Sequence, residues 1–430
     1  MEGIYSEYFT LEAGVPQGEV VNPILFIKHK VIGAFASSEK ELDVLRHLRK
    51  DPKVDFWNEP IEEYEKVSIH TSPDVEKTVL KELSDNGIDF YIITDNLKRL
   101  IEDERNNNQP GGFLEGRDVT KFNLDVYHNM EEINIYIEEI AKNHDIASIQ
   151  RIGTSVEGNS IVGLKIGSLS TSGTQKQAVW IDAGIHAREW AAPATALYLI
   201  HYLVNGYGID EKVTKLINTY DWYIFPVVNP DGYKYTWNGD RMWRKNRSLP
   251  PQRGELRNCL GVDINRNFDA MFGGKGTTDD ICSDIYRGES AFSEPETRAI
   301  RDAVLQLKGR LKAYFTLHSY SQLWMCPYGH SLTYPLNYND QFQALHTAIN
   351  AVWKKHGKYY KFGSIASVIY PAAGSSIDWV YDNVGANYSI ALELRDRGEH
   401  GFFLPRKEII PTGEETWAGI EAMLLNVSNN

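Results

Sequence analysis

The chain has 430 residues, 42% of them hydrophobic and 24% charged, with a formal net charge of −13. That length suits one large domain and a smaller one, and the composition is globular rather than disordered or repetitive. The acidic balance argues against nucleic acid as a partner, and no run of about 18 uninterrupted apolar residues predicts a membrane span. The charge is uneven. Residues 1–117 carry 14 Lys+Arg against 23 Asp+Glu, a net of −9, and the remainder carries 31 against 35, a net of −4. An acidic front piece ahead of a near-neutral body suggests two units.

The opening "MEGIYSEYFTLEAG" begins with acids, not with the basic and apolar regions of a signal peptide. The run "VVNPILFIKHKVIGAF" is too short and interrupted to serve as one. This leaves a signal already removed, an unusual start, or a protein that is not secreted, and residues 1–29 have no assigned role. From there "KELDVLRHLRK" spaces apolar side chains as an amphipathic helix. "VDFWNEP" reads as a strand into a turn and "YEKVSIHTS" as an alternating strand. "PDVEKTVLKELSDNG" is a helix with Pro near its start and Gly at its end. "IDFYIITD" is a strand and "NLKRLIEDERNNN" a helix. Residues 30–105 therefore predict a small α+β domain. "NNNQPGGFLEGR" follows, polar and with a Pro-Gly-Gly turn, so residues 106–117 read as a linker. It ends on Arg117, either a site for a trypsin-like protease or part of an ordinary interdomain loop.

Beyond residue 118 the pattern changes. Helical "YHNMEEINIYIEEIAKNH" precedes strand candidates "SIVGLKIGS" and "QAVWIDAG", then helical "APATALYLIHYLVNG" and strand "DWYIFPVVN". "LKAYFTLHS" and "YSIALELRD" are further apolar runs ending in polar residues. This alternation predicts an α/β domain around a mixed, mostly parallel sheet with helices on both faces. Ligands of such sheets bind beyond the carboxyl ends of strands. That rule selects His186 and Glu189 after "AVWIDAG", His318 after "LKAYFTL", and Glu393 with Arg395 at the end of "YSIALEL". His-x-x-Glu plus a distant His is a donor set for catalytic zinc with one open position, and Glu393 could act as general base beside it. Each alone has a blander reading: HxxE arises by chance, His318 as a core or surface histidine, Glu393 as the ion-pair partner of Arg395. Cys259 and Cys282 lie in a loop-like region and could pair, leaving Cys326. Three reduced thiols are the alternative, and the spacing does not make a structural zinc site.

The segments "DAGIHAREWAAPATALY", "NPDGY", "RMWRKNRS", "GVDINRNFD", "LHSYSQ", "GSSIDW" and "ELRDRGEHGFFLP" resemble, in order and spacing, the zinc metallocarboxypeptidases of the pancreatic carboxypeptidase A/B type. The resemblance runs from about residue 122 to the C-terminus, and the front unit resembles the activation segment of the same zymogens. It implies a small α+β antiparallel-sheet activation domain at 30–105 and a catalytic domain at 118–430. It also implies one Zn²⁺ held by His186, Glu189 and His318, with Asp263 orienting a zinc histidine. Glu393 matches the residue that activates water and protonates the leaving amine, and Arg244 the one that polarises the scissile carbonyl. Arg188, Tyr320 and Phe402 match outer substrate-binding positions, and Asn265, Arg266 and Tyr370 those that hold the terminal carboxylate. Ile377 takes the place of the residue that selects the departing side chain, and with Met325, Gly329, Ile365, Ile369, Ala372 and Ala391 it predicts an apolar pocket. Ser375 departs from the glycine common at its position. The resemblance further implies a Cys259–Cys282 disulfide, a free Cys326, activation by cleavage at Arg117, and low activity of the uncut chain on large substrates. Its partners would be peptide and protein C-termini and a trypsin-like protease, with no nucleic acid and no membrane. The expected state is a secreted monomer. A binding protein that has lost turnover and a cytosolic peptidase acting on protein tails are the competing readings. Sequons at Asn246, Asn387 and Asn426 permit glycosylation.

Overall fold

The computed structural model describes residues 28–427 apart from 52, 59, 61, 109–121, 171–174 and 250–258. Most of segment 1–29, most of the linker and Arg117 therefore lie outside the described residues. The front unit is a four-stranded antiparallel sheet with three amphipathic helices. Its elements are β1 (Lys30–Phe35), α1 (Glu39–Leu48), β2 (Val54–Phe56), β3 (Lys66–Thr71), α2 (Glu76–Asp85), β4 (Asp89–Thr94) and α3 (Leu97–Asn107), with strand order β2-β3-β1-β4. Side-chain caps fix two helix starts: Ser38 accepts from the Glu41 N–H and Asn96 from the Arg99 N–H. Ile32, Ala34, Leu42, Leu45, Val67, Ile69, Val79 and Leu83 form its core. The strand β1 is not predicted from the sequence, because its residues fall within an interrupted apolar run without clear alternation.

The second unit is built on an eight-stranded mixed sheet. Its strands are β5 (Ala147–Thr154), β6 (Ser160–Ile166), β7 (Gln177–Ala183), β8 (Tyr220–Phe225), β9 (Leu311–His318), β10 (Leu323–Cys326), β11 (Lys361–Ser364) and β12 (Tyr388–Glu393). They lie in the order β11-β10-β12-β9-β7-β8-β6-β5. The central strands β8, β7, β9 and β12 run parallel, so their carboxyl ends share one edge. Alternation along them sends side chains to two cores. Val179, Ile181, Ala183, Ala313, Phe315 and Leu317 face helices α4 (Met130–Asn143), α5 (Ala191–Gly206), α9 (Tyr338–His356) and α12 (Arg406–Val427). Trp180 and Tyr314 face α8 (Pro295–Leu305) and α11 (Ser376–Val384) on the other side. Asn129 and Glu132 close a capping box that starts α4.

The two units meet through a small apolar cluster. Val31, Trp57, Leu97 and Ile101 of the first pack with Met242, Tyr320 and Phe402 of the second.

Candidate active site

The shared edge of the parallel strands gathers the sequence-selected residues. β7 ends at Ala183, and Gly184 turns the chain with φ of 62°. A Cβ there would lie 3.2 Å from both Pro193 Cγ and the Pro226 carbonyl oxygen, so glycine is the residue that fits. The turn delivers His186 and Glu189. His318 is the last residue of β9 and pairs in register with Glu393, the last residue of β12.

The ligand atoms of His186, Glu189 and His318 all lie within 4.8 Å of one another, and all three residues are buried. His186 Nδ1 is 2.8 Å from Glu189 Oε1, His318 Nδ1 is 3.1 Å from Glu189 Oε2, and the two Nδ1 atoms are 3.1 Å apart. Two imidazole nitrogens and a carboxylate converging on one point make a donor set that suits zinc. The outer partners agree with that reading. His186 Nε2 is 3.2 Å from Asp263 Oδ1, and His318 Nε2 is 3.4 Å from Thr316 Oγ1. The Ser319 backbone N–H donates to Glu189 Oε2. Such contacts orient metal-binding groups; of them the sequence reading had only Asp263, because Thr316 and Ser319 carry no local signal.

Charge is arranged around this point. Against the penalty of burial, Arg244 and then His186 hold the Asp263 carboxyl well below the usual range. Arg244 donates to Asp263 Oδ2 from Nε at 3.1 Å and from Nη2 at 2.9 Å. Burial and the neighbouring Glu189 push the Glu393 carboxyl well above its usual range, while Arg244 and Arg266 pull the other way. A carboxylate whose proton affinity is raised in this way is suited to proton transfer.

At the far side of the cleft, Arg266 Nη2 donates to the Tyr370 hydroxyl at 3.0 Å, and its other nitrogens are fixed by the carbonyls of Gly276 and Asn265. Asn265 Oδ1 accepts from the Ser376 N–H. Gly374, with φ of 76°, lets the following turn lie against Arg266: a Cβ there would meet the Arg266 carbonyl oxygen at 2.2 Å. Met325, Ile365, Ile369, Ala372 and Ala391 line this part of the cleft. Ile377 is buried behind them in the same apolar cluster as Met325, Ile365 and Ala391.

The front unit covers the other end. Arg188 Nη1 donates to both Asp55 carboxylate oxygens, at 2.9 and 3.1 Å, and also meets Asp284 at 3.4 Å. Its guanidinium lies 4.6 Å from the Phe402 ring centroid. Trp57 packs on Phe402 at 5.5 Å, and the Tyr320 hydroxyl donates to Asn58 Oδ1 at 3.3 Å. Between the two units remains a cleft of about 590 Å³. The pairings between the units join residues more than 100 positions apart, and no local signal in the sequence marks Asp55, Trp57 or Asn58 as a cover.

Cys259 is bonded to Cys282, with Cα atoms 4.7 Å apart. Cys326 is free and buried, and burial pushes its thiol up to about 12. Asn246 is fully buried, its amide donating to Glu294 and Glu296, whereas Asn387 and Asn426 are exposed.

Two family models cover most of the chain: a carboxypeptidase activation peptide over residues 33–104 and a zinc carboxypeptidase over residues 133–419. Carboxypeptidase A2 of Rattus norvegicus is 39% identical over 414 residues, spanning 94% of this chain and 95% of its own. Carboxypeptidase B of Bos taurus is 37% identical over 399 residues, 91% of each. Among solved structures, carboxypeptidase A from Helicoverpa armigera superposes with a TM-score of 0.84 at 30% identity, covering 93% of this chain and 98% of that one. The chain belongs to the zinc carboxypeptidases and carries their activation peptide ahead of the enzyme, so it is the zymogen of a metallocarboxypeptidase.

Proposed function

We propose that the processed enzyme binds one zinc ion through His186, Glu189 and His318 and removes apolar or aromatic residues from the C-termini of peptides and proteins. The observation that carries the reading is the arrangement of three groups along one cleft: the donor triad with Glu393 beside it, the Arg266–Tyr370 pair, and the apolar wall of Met325, Ile365 and Ala391. Zinc, when bound, supplies Lewis acidity toward the scissile carbonyl and lowers the pKa of water. Arg266, with Tyr370 and Asn265 beside it, offers a planar fork to the terminal carboxylate and so sets the chain end in register. Arg244, kept in place by Asp263, faces the developing charge on the carbonyl oxygen. One preorganised donor of this type contributes about 10²–10³ in rate. Glu393 takes a proton from the attacking water and returns it to the leaving amine.

The apolar wall sets the preference. Burying a Phe or Leu side chain there gains about 1.5–3 kcal/mol. A Lys or Arg would lose water without a countercharge. The carboxyl of Asp378, close to Ile365 and Gly329, already accepts from the Gly329 and His330 N–H groups, and burial pushes it up to about 7. Ile377, behind the wall, keeps that region apolar. Arg188, Tyr320 and Phe402 receive residues upstream of the scissile bond.

We assign residues 30–105 to the activation domain and 118–430 to the enzyme, with release by a trypsin-like protease at Arg117. The Cys259–Cys282 disulfide supports an extracellular, secreted protein, and the reading as a monomer rests on the resemblance. The presence of every ligand together with Glu393 tells against a binding protein without turnover, and the disulfide tells against a cytosolic peptidase. The test is zinc content together with hydrolysis of matched blocked dipeptides ending in Phe and Arg after limited trypsin treatment. A metal-free protein, or one that releases neither residue, sinks the proposal; a preference for Arg sinks the assignment of the wall.

A further inference from the structure

The activation domain neutralises specific cations of the enzyme, and two of them stand on the wall of the cleft. Lys361 Nζ is 2.9 Å from Glu62 and also bonds Glu65, and Arg397 Nη2 is 3.8 Å from Glu65. Both cations line the cleft. Burial works against the charge of Lys361, and its hydrogen bonds to Glu65 and Glu62 outweigh that penalty. Glu62 and Glu65 belong to the piece that activation removes.

Their position relative to Glu393 is fixed by the sheet. Leu323 of β10 is in register with Glu393 on one side and with Lys361 on the other. Residues on one rung share a face, and neighbouring strands lie about 4.8 Å apart, so Lys361 sits about 10 Å from Glu393 on the same face. That distance is about three residues of extended peptide. The departing side chain is directed elsewhere, to Met325 and Ala391, which lie two residues deeper on β10 and β12. Lys361 instead stands beside Gln322, whose carbonyl accepts from the Lys361 N–H, and lines the same cleft as Tyr320. The local carboxylates are engaged. Glu399 accepts from the Arg397 N–H, and Asp396 accepts from the N–H groups of Gly398, His400 and Gly401 and from the His400 ring.

We infer that Lys361 and Arg397, once stripped of Glu62 and Glu65, form a cationic subsite that favours substrates with acidic residues two to four positions before the scissile bond. The activation domain places its own carboxylates where such a substrate would place its own. The inference rests on the carboxypeptidase reading above and adds to it a substrate class: polypeptides with an acidic stretch ahead of an apolar C-terminal residue.

The test compares acetyl-Glu-Glu-Ala-Phe with acetyl-Gln-Gln-Ala-Phe, using the full chain activated by limited trypsin treatment. The acidic peptide should show a kcat/KM about 5–10-fold higher at low ionic strength, as expected for a few partly exposed ion pairs acting together. Screening should bring the ratio close to one in about 0.5 M salt. In the Lys361→Gln/Arg397→Gln variant the ratio should fall to about one at low salt, with each single variant between. A native ratio of one, with both peptides cleaved, overturns the subsite and leaves the carboxypeptidase reading standing. A ratio that persists in the double variant assigns the preference to other residues and also overturns it. Failure to cleave either peptide refutes the carboxypeptidase reading, and this inference with it.

Discussion

The two sheets of this molecule solve different problems. The eight-stranded sheet is covered on both faces, and its central strands carry apolar residues toward helices on either side. The four-stranded sheet has one small core, and its last strand leaves Tyr91 at 47% and Ile92 at 39% exposure. What the second sheet gives the molecule lies at its contact with the first: the Trp57 cluster, the Asp55–Arg188 pair, and the ion pairs of Glu62, Glu65 and Glu104 with Lys361, Arg397 and Arg241. The pairs of Glu62 and Glu65 are partly exposed and contribute little individually, whereas Asp55–Arg188 and Glu104–Arg241 are largely buried and hold the front unit more firmly. Changes in the larger sheet should therefore alter chemistry and stability, and changes in the smaller one should alter only the uncut chain.

The largest effect is expected at Glu393. Glu393→Gln should retain zinc, measured by metal analysis, while kcat of the trimmed enzyme falls by about 10³ or more. Near-normal turnover would remove Glu393 from the mechanism. Next is specificity, where kcat/KM for a blocked dipeptide ending in Phe should exceed that for Arg by about 100-fold or more. Ile377→Asp should shift the ratio toward Arg, with Ser375 and Met325 limiting how far a long side chain reaches.

The Cys259–Cys282 bond closes a loop over a sequence separation of 23. Replacing both cysteines by serine should lower the unfolding free energy of the enzyme by roughly 3 kcal/mol in the chain-entropy model. Denaturant unfolding of the trimmed enzyme reads this, and an unchanged midpoint would show that the loop is held by other contacts.

Smaller effects belong to the activation domain. Asp55→Asn removes the carboxylate from Arg188 and should raise the activity of the uncut chain on peptides by up to about 10-fold. The trimmed enzyme, which lacks residue 55, gives the reference rate, and an unaltered uncut chain would mean that Asp55 does not hold the cover in place. The smallest concerns acid. His29 and His70 face each other at 3.0 Å, and His70 meets Asp55 at 3.3 Å. Burial and then His70 push the His29 imidazole down to about 4, against the pull of Asp74. Because the folded value lies below the unfolded one, the unfolded chain binds the extra proton first. Stability present above about pH 6.5 is thus lost as the pH falls toward 4. His29→Gln should flatten this part of the pH dependence of activation-domain unfolding; an identical profile would exclude His29 as its source.

The covered central strands were legible in the sequence, whereas short and edge strands and the long helices α9 and α12 were not. "LKAYFTLHS" and "YSIALELRD" became β9 and β12 because continuous apolar runs mark strands covered on both faces. Four-residue β10 and β11 lack the length for periodicity to register. β5 alternates weakly at the sheet edge, and α12 holds Pro411 within a helix that covers the core from end to end. The His186–Glu189–His318 group and Glu393 could be picked out because each ends or closely follows a readable strand. The covering residues Asp55, Trp57 and Asn58 could not, because their partners are set by the docking of two separately folded units.

The pairing of Glu393 with His318 has one more consequence. Side chains alternate along a strand, so a slip of β12 by a single residue would turn Glu393 into the core while His318 stayed at the edge. A chain with misaligned strands would not bring these two side chains together at the edge. Sheet assembly thus acts as its own safeguard: the pair proposed for catalysis exists only where the two strands are correctly aligned.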